Sequence, residues 1–243
     1  MYYRKPSNRS SLYWEIRREI SNFKAVYSLI FIFVIIQIIV FIYPPALILL
    51  GFVPRLFLWG FYWTIITHMF VHYPYIIPFH LIMNSIALYY VGRYTEIFMG
   101  SKLTIISFLI SGIFGGLLTL VMAYILPLIN PLASHLPDQV SIGASGAIFG
   151  LFAIIAADRP NTEILFFLFI PLLPIIIPIK ARGRTLLMIL IGMELIFGLL
   201  SIPGDFYGHF SHLGGMVSGV LLYKYYLWKK IYQRAYGVSF YEQ

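Results

Sequence analysis

The chain has 243 residues, of which 60% are apolar, 18% aromatic and only 11% charged. A soluble domain is roughly half apolar and a quarter charged, so this composition excludes a soluble globular fold, and it excludes disorder as well. With no Cys and a net charge of +8, disulfides, thiolate metal sites and a cysteine nucleophile are also excluded.

A basic balance in a soluble protein would point to nucleic acid. Here the basic residues sit between hydrophobic segments, as membrane topology requires, and no basic–aromatic motif is interleaved. Nucleic acid is therefore not an expected partner, and the lipid bilayer is. Mean hydropathy is +0.85.

Residues 1–24 form a basic, cytoplasmic N-terminal segment with Arg4, Lys5, Arg9, Arg17, Arg18 and Lys24. The apolar stretch that follows is too long for a signal-peptide core. It reads as span one, Ala25 to about Tyr43, ended by Pro44-Pro45. Residues 44–78 are aromatic and broken by Pro44, Pro45, Pro54, Pro74 and Pro78, which suits a structured loop in the outer interface. Span two runs from about Phe79 to Phe98, and span three from about Lys102 to Leu126. A loop follows over 127–142. Span four runs from Ser145 to Ala157, span five from about Thr185 to Ile202, and span six from about Gly208 to Trp228. Residues 229–243 form a cytoplasmic tail.

The stretch 164–179 is apolar enough to cross, but carries Pro171, Pro174 and Pro178. Each interior Pro costs a helix about 3 kcal/mol. It is expected to be interfacial or buried irregular structure, leaving six spans in an all-α polytopic bundle. Charge supports that count. Of the 17 Lys and Arg, every one but Arg55 then falls on one side. That places both termini in the cytoplasm. A seventh span at 164–179 would turn span six over and break the pattern.

Span four is short. Its 13 residues reach about 20 Å, against about 30 Å of hydrocarbon. Asp158 and Arg159 anchor its cytoplasmic end, so the loop before it must dip into the membrane. Irregular backbone at that depth requires surrounding protein or a water-filled cavity. The sequence therefore predicts a wet pocket open to the outer face, with Ser145 at its floor. Ser145 also opens a helix, whose first N–H groups lack partners and suit a developing oxyanion. Gly143 and Gly146 permit a tight turn around it. By itself the tetrapeptide is better explained as a Ser helix cap with small residues for packing.

His212 lies near the outer end of span six. It shares a face with Gly215 and Gly219, while Gly146 and Gly150 repeat that small-residue spacing on span four. Such faces let two membrane helices approach closely, which would bring His212 to Ser145 as a general base. A packing histidine fits the same position. His80 and Asn84 lie i, i+4 on span two and offer N–H donors. They suit an oxyanion hole, or an ordinary interhelical hydrogen-bond pair. Phe149, i+4 from Ser145, is placed to stack on the imidazole. His68 and His72 lack a carboxylate or a His-Glu-x-x-His to make a metal site. His68 is read instead as a loop-organising donor. His135 and His209 are assigned to outer loops. No acid is well placed behind His212: Asp205 lies seven residues upstream in a loop, roughly 10 Å away if helical.

Taken together, these motifs resemble the rhomboid intramembrane serine proteases. His80-Leu81-Ile82-Met83-Asn84 matches the family's His-x-x-x-Asn. Gly143-Ala144-Ser145-Gly146 matches its Gly-x-Ser-Gly. His212-Leu213-Gly214-Gly215-Met216-Val217-Ser218-Gly219 matches its His-x-x-Gly-x-x-x-Gly. The resemblance covers about residues 25–228, read as one six-span domain. It implies a Ser145–His212 dyad without an acid, and an oxyanion hole of His80, Asn84 and the Ser145 N–H. Gly143, Gly146, Phe149, Gly215 and Gly219 would support them. It also implies substrates that are transmembrane helices of other membrane proteins, and no metal or cofactor. Span five and the loop after it would gate entry. Two positions depart from the pattern. Thr64 follows Trp63 where the family usually has Arg, which leaves the loop's anchor open. Ser211 replaces Ala before the histidine.

The rival reading is a catalytically inactive rhomboid-like protein that binds membrane helices; such a chain loses Ser or His, and this one has both. A transporter would need repeat symmetry or a path of ionisable residues. The expected location is a prokaryotic plasma membrane. Oligomeric state is not legible in the sequence.

Overall fold

In the computed structural model, residues 23–74, 78–170, 175–201 and 208–227 are described. The basic segment before residue 23, Asp205, and the tail from residue 228 lie outside these. Helix α1 spans Lys24–Ile42. The first loop holds three short helices, α2 (Ala46–Leu50), α3 (Pro54–Leu58) and α4 (Thr64–Thr67). Longer helices follow: α5 (Phe79–Met99), α6 (Ser101–Ile125) and α7 (Ser145–Asp158). A hairpin of β1 (Glu163–Ile170) and β2 (Ile175–Arg182) leads into α8 (Gly183–Leu200), and α9 spans His209–Leu222. Among the described residues, three stretches, Lys24–Ile42, Ser101–Leu128 and Gly183–Leu200, are long and apolar enough to cross a membrane.

Helix α7 is the centre of the fold. Every residue from Gly146 to Ala156 except Phe149 is buried. A helix that is apolar all round belongs inside a bundle. Leu151 and Ile154 pack with Phe33 of α1, Leu88 of α5 and Phe108 of α6 in the main core. Phe152 and Ala153 pack on the other side with Leu186 and Leu190 of α8 and Met216 of α9. By contrast, α1 and α8 turn large side chains outward: Phe31, Phe41 and Ile42 on one, Met188 and Ile196 on the other.

Glycine and serine set how closely these helices approach. A Cβ on Gly219 would lie 2.2 Å from the Gly150 carbonyl oxygen. A Cβ on Gly150 would meet the Ser111 side chain at 2.2 Å, and one on Gly115 the Ser211 carbonyl oxygen at 2.6 Å. Helices α6, α7 and α9 therefore meet backbone to backbone, as small residues allow in membranes.

One buried acid has a structural task. Glu96 accepts from the N–H groups of Ala25 (2.8 Å) and Val26 (3.1 Å) and from the Ser101 hydroxyl (2.5 Å). It satisfies orphan donors at the start of α1, where negative charge is favoured. This ties α1 to α5.

Within 164–179 the described residues correct the expectation of irregular structure and add a small sheet to a mostly helical fold. Residues 163–170 and 175–182 form a regular antiparallel ribbon in which Glu163 pairs with Arg182, Phe167 with Pro178, and Ile170 with Ile175. The prolines bar a helix but not this ribbon. In a two-stranded ladder each strand has a free edge, where the missing N–H of Pro178 costs little. Ile164, Ile179 and Ala181 pack back onto the cluster of α7, α8 and α9. At its base Lys180 pairs with Glu163 at 2.8 Å. Both groups are fully exposed, and the pair holds the carboxyl below and the ammonium above its ordinary pKa.

Candidate active site

The chain reaches Ser145 along a path pinned by the first loop. Phe52 and Ser141 exchange backbone hydrogen bonds of 3.0 and 2.7 Å, and the Gly143 N–H donates to the His68 carbonyl at 2.9 Å. Gly143 has φ +111°, a conformation that favours glycine. His68 Nδ1 donates to the Thr64 carbonyl at 2.9 Å, so its ring organises the loop as the sequence suggests. Burial drives the His68 imidazole pKa down to about 4, partly offset by the Thr64 and Ile65 carbonyls. His72, buried beside it in the loop, is driven down to about 3 by burial and by His80.

Besides the Thr64 carbonyl that holds His68, the first loop has further anchors. Trp63 Nε1 donates to the Leu49 carbonyl at 2.8 Å. Arg55 clasps Asp138 through two contacts of 2.6 and 2.9 Å. Arg55 is the basic residue that stands apart from the others in the sequence, and its partner accounts for it. Both side chains are exposed, so the pair adds at most about 1 kcal/mol.

Ser145 is the first residue of α7, and the N-cap position before it is held by Ala144. Its Oγ lies 2.7 Å from His212 Nε2. His212 is buried, and the Phe149 ring sits against its imidazole with centroids 4.5 Å apart at 34°. Gly146 and Gly215 bring the two helices into register: a Cβ on Gly146 would lie 2.4 Å from Ser211 Oγ. Ser211, the departure from the usual Ala, thus fills the space beside Gly146.

His80 and Asn84 face the loop just before Ser145. A Cβ on Gly143 would lie 2.8 Å from His80 Nε2 and 3.8 Å from Asn84 Nδ2. Asn84 Nδ2 donates one hydrogen to the His80 carbonyl at 2.9 Å, and an amide nitrogen carries a second. His80 and Asn84 thus lie against Gly143, two residues before Ser145. A recess lined by Thr119, Gln139, Ser141, Gly208 and His209 opens nearby; its lining includes neither Ser145 nor His212.

The expectation that no acid backs His212 is overturned. Glu194 Oε1 lies 2.9 Å from His212 Nδ1, and Oε2 lies 2.5 Å from His209 Nδ1. His209 is not a loop residue but the first residue of α9. The acid comes from α8, eighteen residues before the histidine, and only the rotation of α8 about its axis turns it inward. The available signal was its isolation: a carboxylate deep in an apolar helix needs a partner.

Arranged this way, the groups can deprotonate a serine hydroxyl, hold the resulting imidazolium and offer N–H donors to an oxyanion. A family model described as the rhomboid domain matches residues 60–230. The chain is also similar to rhomboid-like protease 3 of Toxoplasma gondii. The two are 25% identical over 172 residues, 68% of this chain and 51% of that one. The chain thus spans about half the length of the curated relative it matches. With its apolar helices and a domain match over most of its length, the chain belongs to the rhomboid family of integral membrane proteins.

Proposed function

We propose that the protein is an intramembrane serine endopeptidase that hydrolyses peptide bonds in or near the transmembrane helices of other membrane proteins. The observation that carries this reading is the 2.7 Å contact between Ser145 Oγ and His212 Nε2. The family's protease character supports it. Six spans cross the bilayer over residues 25–228: α1, α5, α6, α7, α8 and α9, with both termini cytoplasmic. Short α7 starts below the outer surface, and a water-filled cavity reaches Ser145 from outside.

In the reaction, Ser145 Oγ attacks the scissile carbonyl while its proton passes to His212 Nε2. The oxyanion forms against His80, Asn84 and the Ser145 N–H. His212 hands its proton to the leaving amine, leaving an acyl-enzyme on Ser145. Water from the cavity then attacks the acyl carbon and gives a proton to His212; the bond from that carbon to Ser145 Oγ breaks, Oγ takes the proton back from His212, and the new carboxyl terminus leaves. A substrate helix must unwind locally, because a hydrogen-bonded helical carbonyl is shielded from attack.

The test presents a single-span substrate to wild type, Ser145→Ala and His212→Ala in liposomes, with a chelator control. Cleavage by wild type alone, unaffected by chelator, is expected. Equal inertness of all three toward several unstable helices overturns the reading.

A further inference from the structure

We infer that Glu194 is the third member of the catalytic group, a positioning residue that fixes the tautomer and orientation of His212 from a neighbouring helix. This rests on the reading of Ser145 and His212 as nucleophile and base.

An ionised carboxylate only accepts. The ring nitrogen that faces it at 2.9 Å, His212 Nδ1, therefore carries the hydrogen. A neutral imidazole has one N–H, so Nε2 bears the lone pair, and Nε2 is the atom 2.7 Å from Ser145 Oγ. Glu194 thus selects the tautomer that can take the serine's proton. The same carboxylate then faces the imidazolium formed when Nε2 gains that proton. The Nδ1 proton stays on His212 throughout and is never passed to Glu194.

His209 completes the device. Its Nδ1 donates to the other oxygen, Glu194 Oε2, at 2.5 Å. Two imidazoles, three residues apart on α9, hold one carboxylate by both oxygens and so fix its plane. His209 is itself stacked on Phe197 of α8, with centroids 5.8 Å apart at 25°. Gly198 lets the helices close here: a Cβ on it would lie 3.0 Å from the Phe210 ring. Against His212 lie Ser145 and Phe149 from α7 and Glu194 from α8, and His80 of α5 is close enough to act on it electrostatically. The contact between α8 and α9 carries chemistry as well as packing.

The experiment compares wild type with Glu194→Gln, Glu194→Ala and Glu194→Asp in the full chain, reconstituted in liposomes with a single-span substrate. Cleavage kcat, KM and thermal midpoint are measured for each. The inference predicts that Glu194→Gln lowers kcat by about 10²–10⁴-fold, because its amide can present a donor to Nδ1 and impose the wrong tautomer. KM and the thermal midpoint should stay near wild type, and Glu194→Asp should recover part of kcat. The inference is overturned if Glu194→Gln and Glu194→Ala cleave at the wild-type kcat. It is equally overturned if kcat, KM and the midpoint fall together with no recovery in Glu194→Asp, since that marks a packing role. Wild type that cleaves nothing refutes the protease reading itself, which separates the two failures.

Discussion

Gly215 lies so close to Gly146 that a Cβ on it would sit 1.9 Å from the Gly146 carbonyl oxygen. No side chain fits there without parting α7 from α9. The same crossing sets the distance between Ser145 and His212, one residue before Gly146 and three before Gly215. Packing and chemistry therefore share one contact.

Gly215→Ala should accordingly fail in two measurable ways. Overpacking costs about 1–3 kcal/mol, seen as a lower thermal midpoint. A shift of about 1 Å in a reacting group is worth about 10²-fold in rate, seen as lost cleavage. A Gly215→Ala protein with wild-type midpoint and rate would show that the helices can separate without cost.

His80 and Asn84 should act on kcat. Each offers a donor beside Gly143, where the oxyanion would form. Removing one such donor costs about 10²–10³-fold in kcat. His80→Ala and Asn84→Ala are each expected to show that loss, with KM little changed. A rise in KM at constant kcat would assign them to substrate binding instead.

The first loop gives the fold a pH dependence. Buried His68 titrates at about 4, against an ordinary 6.5. Below pH 6.5 the unfolded chain takes up a proton that the folded chain refuses until about pH 4. Stability is therefore fully present above pH 6.5 and is lost as pH falls toward 4. The slope is about 1.4 kcal/mol per pH unit. His72, lowered to about 3, adds in the same sense. Unfolding of wild type and His68→Gln between pH 7 and 4 checks this. The variant should lose stability less steeply, and equal slopes would contradict a neutral buried His68.

Much of this architecture was legible in the sequence, for identifiable reasons. Hydropathy broken by Pro and Gly located the helices to within a residue or two at most ends: Phe79–Phe98 was expected and Phe79–Met99 is found. Recurring glycines at i, i+4 announced the crossing of α7 and α9. What was not legible depends on neighbours distant in sequence. The inward turn of Glu194 follows from how α8 packs, which its own residues do not state. Gly112, Gly115 and Gly116 of α6 likewise show their purpose only against Met69, Ser211 and Ile65. The β1–β2 ribbon escaped because prolines interrupt the stretch, while Ile164–Ile170 is continuously apolar and shows no alternation; only the short run Ile179-Lys180-Ala181-Arg182 alternates.

In the proposed function, Ser145 is a nucleophile activated by His212. The most direct measurement is peptide mapping by mass spectrometry after the reconstituted protein reacts with a fluorophosphonate. A single covalent adduct on Ser145 is predicted, absent from Ser145→Ala and at least about 10²-fold slower to form in His212→Ala. An unlabelled Ser145 in folded wild type, or labelling that is indifferent to His212, would contradict it.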